Sequence, residues 1–225
     1  MPKEAKLATP RIIIVGNLKG GSSKTTTAVN LAAVLGKAGK VTLVDADAQG
    51  TASAWGAQGK LPVRVEALPM QQGRGAVEAW IGALMQLKGE ADLTVVDLPP
   101  NLGDITAAAL TVADLMLIPV TPSGMDLRAT EQALQLLRRA REVRKDGKPL
   151  CLLVPSRVDR RTAAGREIEA VLSDFGEPVA PAVVQRSAHV DAFSAGEWIG
   201  DYAPRSAGHT EIEALAAVAK RMVTR

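Results

Sequence analysis

Arg11-Ile12-Ile13-Ile14-Val15-Gly16-Asn17-Leu18-Lys19-Gly20-Gly21-Ser22-Ser23-Lys24-Thr25-Thr26 sets the fold class. The aliphatic run Ile12–Val15 reads as a strand buried on both faces. A glycine-rich turn follows it, and Lys24-Thr25-Thr26 opens a helix. Such a turn lets backbone N–H groups close around phosphate oxygens at a helix N-terminus, where the helix dipole adds to the attraction. Lys24 would then reach the β- and γ-phosphates, and the Thr25 hydroxyl would ligate Mg2+. The strict pattern G-x-x-x-x-G-K-[ST] is not met, because Leu18 and Ser23 stand where it has glycine. A glycine turn capping a helix, with Lys24 and Thr25 as ordinary first-turn residues, is the competing reading.

Further aliphatic runs recur with room for helices between them. Arg11–Val15, Val41–Asp45, Leu93–Asp97, Leu115–Pro119, Leu150–Val154 and Val179–Val184 read as strands. Lys24–Lys37, Gly75–Leu87, Asp104–Leu110, Asp126–Lys145, Thr162–Leu172 and His209–Val223 carry helical spacing. The alternation predicts a single-domain, doubly wound α/β fold, a mainly parallel sheet flanked by helices. Functional loops then belong at the carboxyl ends of the strands. Gln49–Gly75 is weakly patterned and predicts loop with one short strand around Val63–Val65. The expected division is a tail over 1–10 and one domain over 11–225.

Composition narrows the function classes. Of 225 residues, 47% are hydrophobic and 23% charged, enough to build a core without staples. The lone Cys151 excludes an internal disulfide, a multi-thiolate zinc site and an iron–sulfur cage within one chain, and predicts a reduced, cytoplasmic compartment. It reads as a small buried hydrophobe. No apolar run approaches ~18 residues, and the run after the N-terminus is too short for a signal peptide, so no integral membrane association is expected. The net charge is +3, yet Arg128–Arg166 holds nine Arg and two Lys against Glu131, Glu142, Asp146 and Asp159, a local +7. That sector predicts a polyanion partner, with a solvated helix face as the alternative.

Two more strands end in acids, in Asp45-Ala46-Asp47-Ala48-Gln49-Gly50 and in Asp97-Leu98-Pro99-Pro100. Singly, each Asp reads as a cap or turn residue. In order, at strand ends and beside a phosphate loop, they point to metal-assisted phosphoryl transfer. The stretch Lys19-Gly20-Gly21-x-x-Lys24-Thr25-Thr26 resembles the deviant Walker A loop, KGGxGKT[TS], of the ParA/MinD family of P-loop ATPases. Ser23 replaces a glycine there, which costs more if the backbone needs positive φ. The two acidic segments resemble that family's VDxDPQG, with Ala48 for proline, and its D-x-P-P. Ala113–Pro122 and Tyr202–Ser206 resemble its ADLVIIPVTPS and YDPRS-like segments. The resemblance covers the chain after Arg11 and lies nearest the small ParF-like partition proteins.

This resemblance implies ATP and Mg2+ as cofactors, held by Lys19, Gly20, Gly21, Ser22, Ser23, Lys24, Thr25 and Thr26. Thr25, Asp45 and Asp97 would surround the metal. Lys24 would act in catalysis, Asp47 would orient the attacking water, and Lys19 would cross a homodimer interface to the partner's ATP. It also implies non-specific binding of double-stranded DNA through Arg161, Arg186 and His189, and association with the nucleoid when ATP is bound. A ParB-like or centromere-binding adaptor would stimulate a weak basal hydrolysis, and the cargo would be a plasmid, a chromosome locus or a protein assembly. The few aromatics disfavour base stacking and favour duplex backbone. A loop starting at Lys19 leaves no room for an N-terminal operator-binding domain. A MinD-like membrane-cycling regulator and a metabolic synthetase of related fold are the alternatives; the modest apolar face of Glu211–Arg225 disfavours the first.

Overall fold

The computed structural model describes residues 9–101 and 103–224, so the expected tail, apart from Thr9 and Pro10, and the final Arg225 lie outside the described residues. In chain order the elements are β1 (Arg11–Val15), α1 (Lys24–Gly36), β2 (Val41–Asp45), α2 (Thr51–Gly56), β3 (Arg64–Ala67), α3 (Ala76–Gly89), β4 (Leu93–Asp97), α4 (Asp104–Val112), β5 (Leu115–Val120), α5 (Gly124–Arg144), β6 (Leu150–Pro155), α6 (Ala163–Ser173), α7 (Ser187–Ala195), α8 (Ile199–Tyr202) and α9 (Ala207–Val223). The six strands form one sheet in the order β3-β2-β4-β1-β5-β6, parallel at every pairing.

Continuous aliphatic strands give two cores because successive side chains point to opposite faces. Ile13, Val15, Leu43, Val95 and Leu117 pack with α1 and α9, whereas Ile12, Ile14, Val44, Val96 and Met116 pack with α3, α4, α5 and α6. Cys151 lies in the second core, 1% exposed. The apolar stripe of α9 (Ile212, Leu215, Ala216, Ala219 and Val223) is buried in the first. No helix among the described residues is long and apolar enough to cross a membrane.

The order of strands makes β1 the point where the winding reverses, with β4 on one side and β5 on the other. A crevice opens outside the carboxyl end of such a strand, and the Gly16–Ser23 loop occupies it.

The structure corrects the sequence in two places. Val179–Val184 is not a strand; it is joined by isolated bridges, Leu153↔Val179 to β6 and Val158↔Val184 to the segment just past it. Pro178 and Pro181 lack the N–H groups that a continuous ladder requires. The segment predicted as loop holds α2 as well as β3. Gly50 (φ 66°) turns into α2, and the Asp45 carboxylate, eight residues earlier, accepts the Ser53 N–H at 2.7 Å. A cap delivered from a strand end leaves no local pattern.

Asp114, 6% exposed, ties the amino ends of three strands together. Its carboxylate accepts from the Ile12 N–H (2.9 Å), Lys148 Nζ (2.6 Å) and Arg11 Nη1 (3.1 Å), while its carbonyl accepts the Leu150 N–H. Burial works to raise its pKa, but the bonds from Lys148 and Ile12 outweigh burial and hold the carboxyl below its usual range. A depressed carboxyl stabilises the fold above the unfolded-state pKa, and that contribution is lost as pH falls through the folded value. Asp114→Asn should therefore cost about 2 kcal/mol at pH 7 in urea unfolding. The difference should shrink as pH drops below the ordinary carboxylate range; a constant difference would contradict the clamp.

Candidate nucleotide site

The loop after β1 is anchored at its start and open at its end. The Gly16 N–H bonds the Leu117 carbonyl (3.0 Å), and Asn17 Nδ2 bonds the Pro119 carbonyl (2.7 Å), tying the loop to β5. Gly21 (φ 78°) and Ser23 (φ 69°) both take the left-handed conformation. The Lys19 carbonyl gathers Ser22 Oγ (3.0 Å) and Lys24 Nζ (3.1 Å). Helix α1 starts at Lys24 with no side-chain cap, so its first-turn N–H groups keep their donors for a ligand. Lys24 is 7% exposed, and burial lowers its pKa against the opposing pull of Asp97 and Asp47. The predicted cradle residues Gly20, Gly21, Ser23, Lys24, Thr25 and Thr26 line a cleft of about 680 Å³ with Asp47. Lys19 and Ser22 are not on its wall, and brace the loop from behind.

Asp45 and Asp97 are register partners on the neighbouring strands β2 and β4, each 1% exposed. Their environments differ. Asp45 accepts N–H groups from Asp47 (3.2 Å) and Ser53 (2.7 Å), so both its oxygens serve the backbone. Neither oxygen of Asp97 has a regular hydrogen-bond partner among the described residues. Burial pushes its carboxyl up to about 7, opposed by the Thr25 hydroxyl and raised further by Asp45, with Lys24 opposing and Asp47 adding to the rise. A buried, unsatisfied carboxylate beside a threonine hydroxyl fits a cation. Among the described residues no group of three or more His, Cys, Asp or Glu could hold a metal alone. That donor set suits Mg2+, which takes one or two carboxylates and completes its shell with water and phosphate oxygens. Asp47 stands at the cleft, half-buried, its Oδ1 accepting the Gln49 N–H (3.0 Å).

Lys19 points into its own chain. Its Nζ lies 2.5 Å from Asp126 Oδ1 and 3.3 Å from Ser123 Oγ, at the first turn of α5. Asp126 is fully buried and also accepts the Thr121 N–H (3.0 Å) and hydroxyl. Burial would raise this carboxyl, but Lys19 and Thr121 hold it below the usual range. Ser123 and Asp126 belong to the continuation of the segment that carried the family resemblance, yet nothing in their spacing marks them as a lysine's partners.

Arg161 and Arg186 line one hollow of about 610 Å³, together with Asp159, Arg160, Gln185 and Glu211. Arg161 is 90% exposed and pairs with Asp159 (2.7 Å), whose carboxyl its guanidinium draws down to about 2. Arg186 pairs with Glu211 (2.6 Å) and also reaches the cleft beside the phosphate loop. His189 sits apart from the hollow, on the cleft wall. Burial lowers its pKa, disfavouring the charged ring, and neither ring nitrogen finds a partner among the described residues. Elsewhere in the basic sector, Arg141 bonds the Pro149 carbonyl and Glu177, and Arg144 bonds the Leu110 and Ala113 carbonyls. These two stitch α5 to its neighbours, while Arg138 and Arg139 are exposed.

Comparisons with known proteins agree with this architecture. The CobQ/CobB/MinD/ParA nucleotide binding domain matches residues 13–198. The chain is 34% identical to the chromosome-partitioning ATPase Soj of Thermus thermophilus over 231 residues, covering 89% of this chain and 92% of Soj. It is also 34% identical to maintenance of carboxysome distribution protein A of Halothiobacillus neapolitanus over 185 residues, covering 78% of this chain and 80% of the relative. Among solved structures, the septum site-determining protein MinD of Pyrococcus horikoshii complexed with Mg-ADP superposes with a TM-score of 0.72 at 21% identity, covering 94% of this chain and 96% of that one.

The left-handed Ser23 generates a test. A non-glycine residue there costs ~1–2 kcal/mol, offset by ~0.4–1 kcal/mol of extra unfolded-state entropy that glycine brings. Ser23→Gly should stabilise the chain by about 0.5–1 kcal/mol, read as a higher urea midpoint. An unchanged or lower midpoint would mean that the loop relieves the strain in another way.

Proposed function

The chain belongs to the CobQ/CobB/MinD/ParA nucleotide-binding family, and on that premise we propose that it is a ParA-type ATPase that positions a cargo. ATP joins two copies, the dimer binds duplex DNA without sequence preference, and hydrolysis stimulated by an adaptor protein releases it. The cargo is a plasmid, a chromosome locus or a protein assembly. The observation that carries the nucleotide half of this reading is Asp97, buried and unpaired beside Thr25 and Lys24 at the mouth of the phosphate loop.

In the hydrolytic step water attacks the γ-phosphorus and the bond to the ADP oxygen breaks; one of the water's two protons leaves on the phosphate product and the other passes to solvent. Loop N–H groups and Lys24 hold the β- and γ-phosphate oxygens. Asp47 orients the water from the cleft wall. Thr25 and Asp97 hold Mg2+, which when bound neutralises charge developing on the phosphoryl oxygens. Asp45 keeps the Asp47 loop in place through its two backbone bonds. Lys19 exchanges Asp126 for the partner's nucleotide on dimerisation.

The DNA half of the proposal rests on the basic hollow. Exposed ion pairs such as Arg161–Asp159 contribute little and are easily exchanged for phosphate contacts. The burial of the apolar stripe of α9 in the core favours DNA over a membrane surface.

Co-sedimentation with random-sequence duplex DNA, without nucleotide, with Mg-ADP and with Mg-ATP, tests both halves together. The wild-type chain should bind with ATP only. Lys24→Ala should bind under none of the conditions, and Asp47→Ala should stay bound long after wild type has hydrolysed its ATP. Equal binding in all three nucleotide conditions would contradict the proposal.

A further inference from the structure

The basic hollow carries its own counter-ions. Among the described residues three arginines line it, and each meets a carboxylate of the same chain. Arg160 meets Glu169 (2.9 Å), Arg161 meets Asp159 (2.7 Å) and Arg186 meets Glu211 (2.6 Å). The first two arginines are more than half exposed, so solvent screens their pairs and a phosphate oxygen replaces the carboxylate at little cost. The third pair is built differently.

Arg186 caps the start of α7, and its stem lies against Gly208 at the start of α9, where a Cβ would stand 3.3 Å from Arg186 Cδ. Glu211, further along α9, has a side chain only 18% exposed and commits both oxygens. Oε1 accepts from Arg186 Nη2 at 2.6 Å. Oε2 accepts the Val184 N–H at 3.0 Å and a longer bond from Arg186 Nε at 3.4 Å. The Nε–Nη2 edge of the guanidinium, which can grip a phosphate through two parallel bonds, is therefore filled from within. The Val184 bond also fastens the carboxylate to the backbone. Glu211 thus stays on the wall of the hollow as a fixed anion, and it repels an approaching phosphate.

We propose that Glu211 is a built-in brake on DNA binding, an internal anion that holds the place of a DNA phosphate on Arg186. This rests on the DNA-binding function proposed above and adds a residue that limits it. With one of its three cations withheld, a single hollow offers one phosphate contact fewer, and the affinity of one copy is kept low. Two hollows in an ATP-joined dimer then gain the more from acting on one duplex, which sharpens the dependence of DNA binding on nucleotide.

The test follows binding of random-sequence duplex DNA with Mg-ATP by fluorescence anisotropy over a range of salt. Two chains are compared with wild type. Glu211→Gln keeps a side-chain carbonyl for the Val184 N–H and loses the charge. The double variant Arg186→Gln/Glu211→Gln removes the pair together and leaves the net charge unaltered. For each hollow that engages the duplex, Glu211→Gln should bind about eightfold more tightly at about 0.1 M salt, with a plot of log K against log salt steeper by about 0.9. The double variant should match wild type in affinity and slope, because the pair it lacks makes no phosphate contact. Unchanged or weaker binding by Glu211→Gln would overturn the proposal in favour of a carboxylate that positions Arg186 for phosphate. A double variant with weaker binding and a shallower slope would overturn it too, and that chain decides alone if Glu211→Gln does not fold. Wild type that binds no duplex with any nucleotide would instead remove the DNA reading beneath the proposal.

Discussion

The buried carboxylate of Asp97 is the constraint around which the rest of the site is arranged. Placing an ionised carboxyl out of water without partners is costly, so it must take up a proton, meet a cation or acquire donors. Its register partner Asp45 has acquired donors, the N–H groups of Asp47 and Ser53. Asp97 has none of regular geometry, and its carboxyl is accordingly pushed up to about 7. Two identical residues at matching heights on adjacent strands are thus set to different tasks by their surroundings, one holding a loop and the other left open to a ligand.

Everything else at the crevice serves that opening. Parallel pairing of β2, β4 and β1 brings Asp45, Asp97 and Val15 to the same level, so the loop after β1 starts beside both acids. The loop's left-handed residues carry the chain to an uncapped helix start with Lys24 and Thr25 at its first positions. Behind it, fully buried Asp126 takes the ammonium of Lys19. The same fold separates two charges that composition merges: the acids gather at the sheet's carboxyl edge, while Arg160, Arg161 and Arg186 surround a neighbouring hollow. Arg186 borders both concavities, so the proposed nucleotide cleft and the proposed DNA surface share a wall.

Features written in local pattern were legible in the sequence, and features made by distant contacts were not. Five of the six proposed strands appear as sheet strands because buried parallel strands have continuous aliphatic runs; the sixth, Val179–Val184, has the aliphatics but also prolines that interrupt its ladder. Helix α2 escaped notice because its support comes from Asp45 on another element. The basic run on α5 could not be divided by charge alone. Contacts show Arg141 and Arg144 binding carbonyls and carboxylates of the fold, which removes them from any surface patch. The phosphate loop and its acids stood out because their chemistry fixes both residue types and spacing. The Lys19–Asp126 pair spans more than a hundred positions, as does the Arg157–Gly21 bond, so neither left a trace in the sequence.

The account stands or falls on whether Asp97 is open because it receives the nucleotide's cation. The most direct measurement is the affinity for ADP with and without Mg2+ in wild type and in Asp97→Asn, a substitution of nearly the same shape without the charge. The account predicts that Mg2+ tightens ADP binding to wild type by at least tenfold, and that Asp97→Asn binds ADP with little or no response to Mg2+. An Asp97→Asn chain whose ADP affinity responds to Mg2+ as strongly as wild type would contradict it.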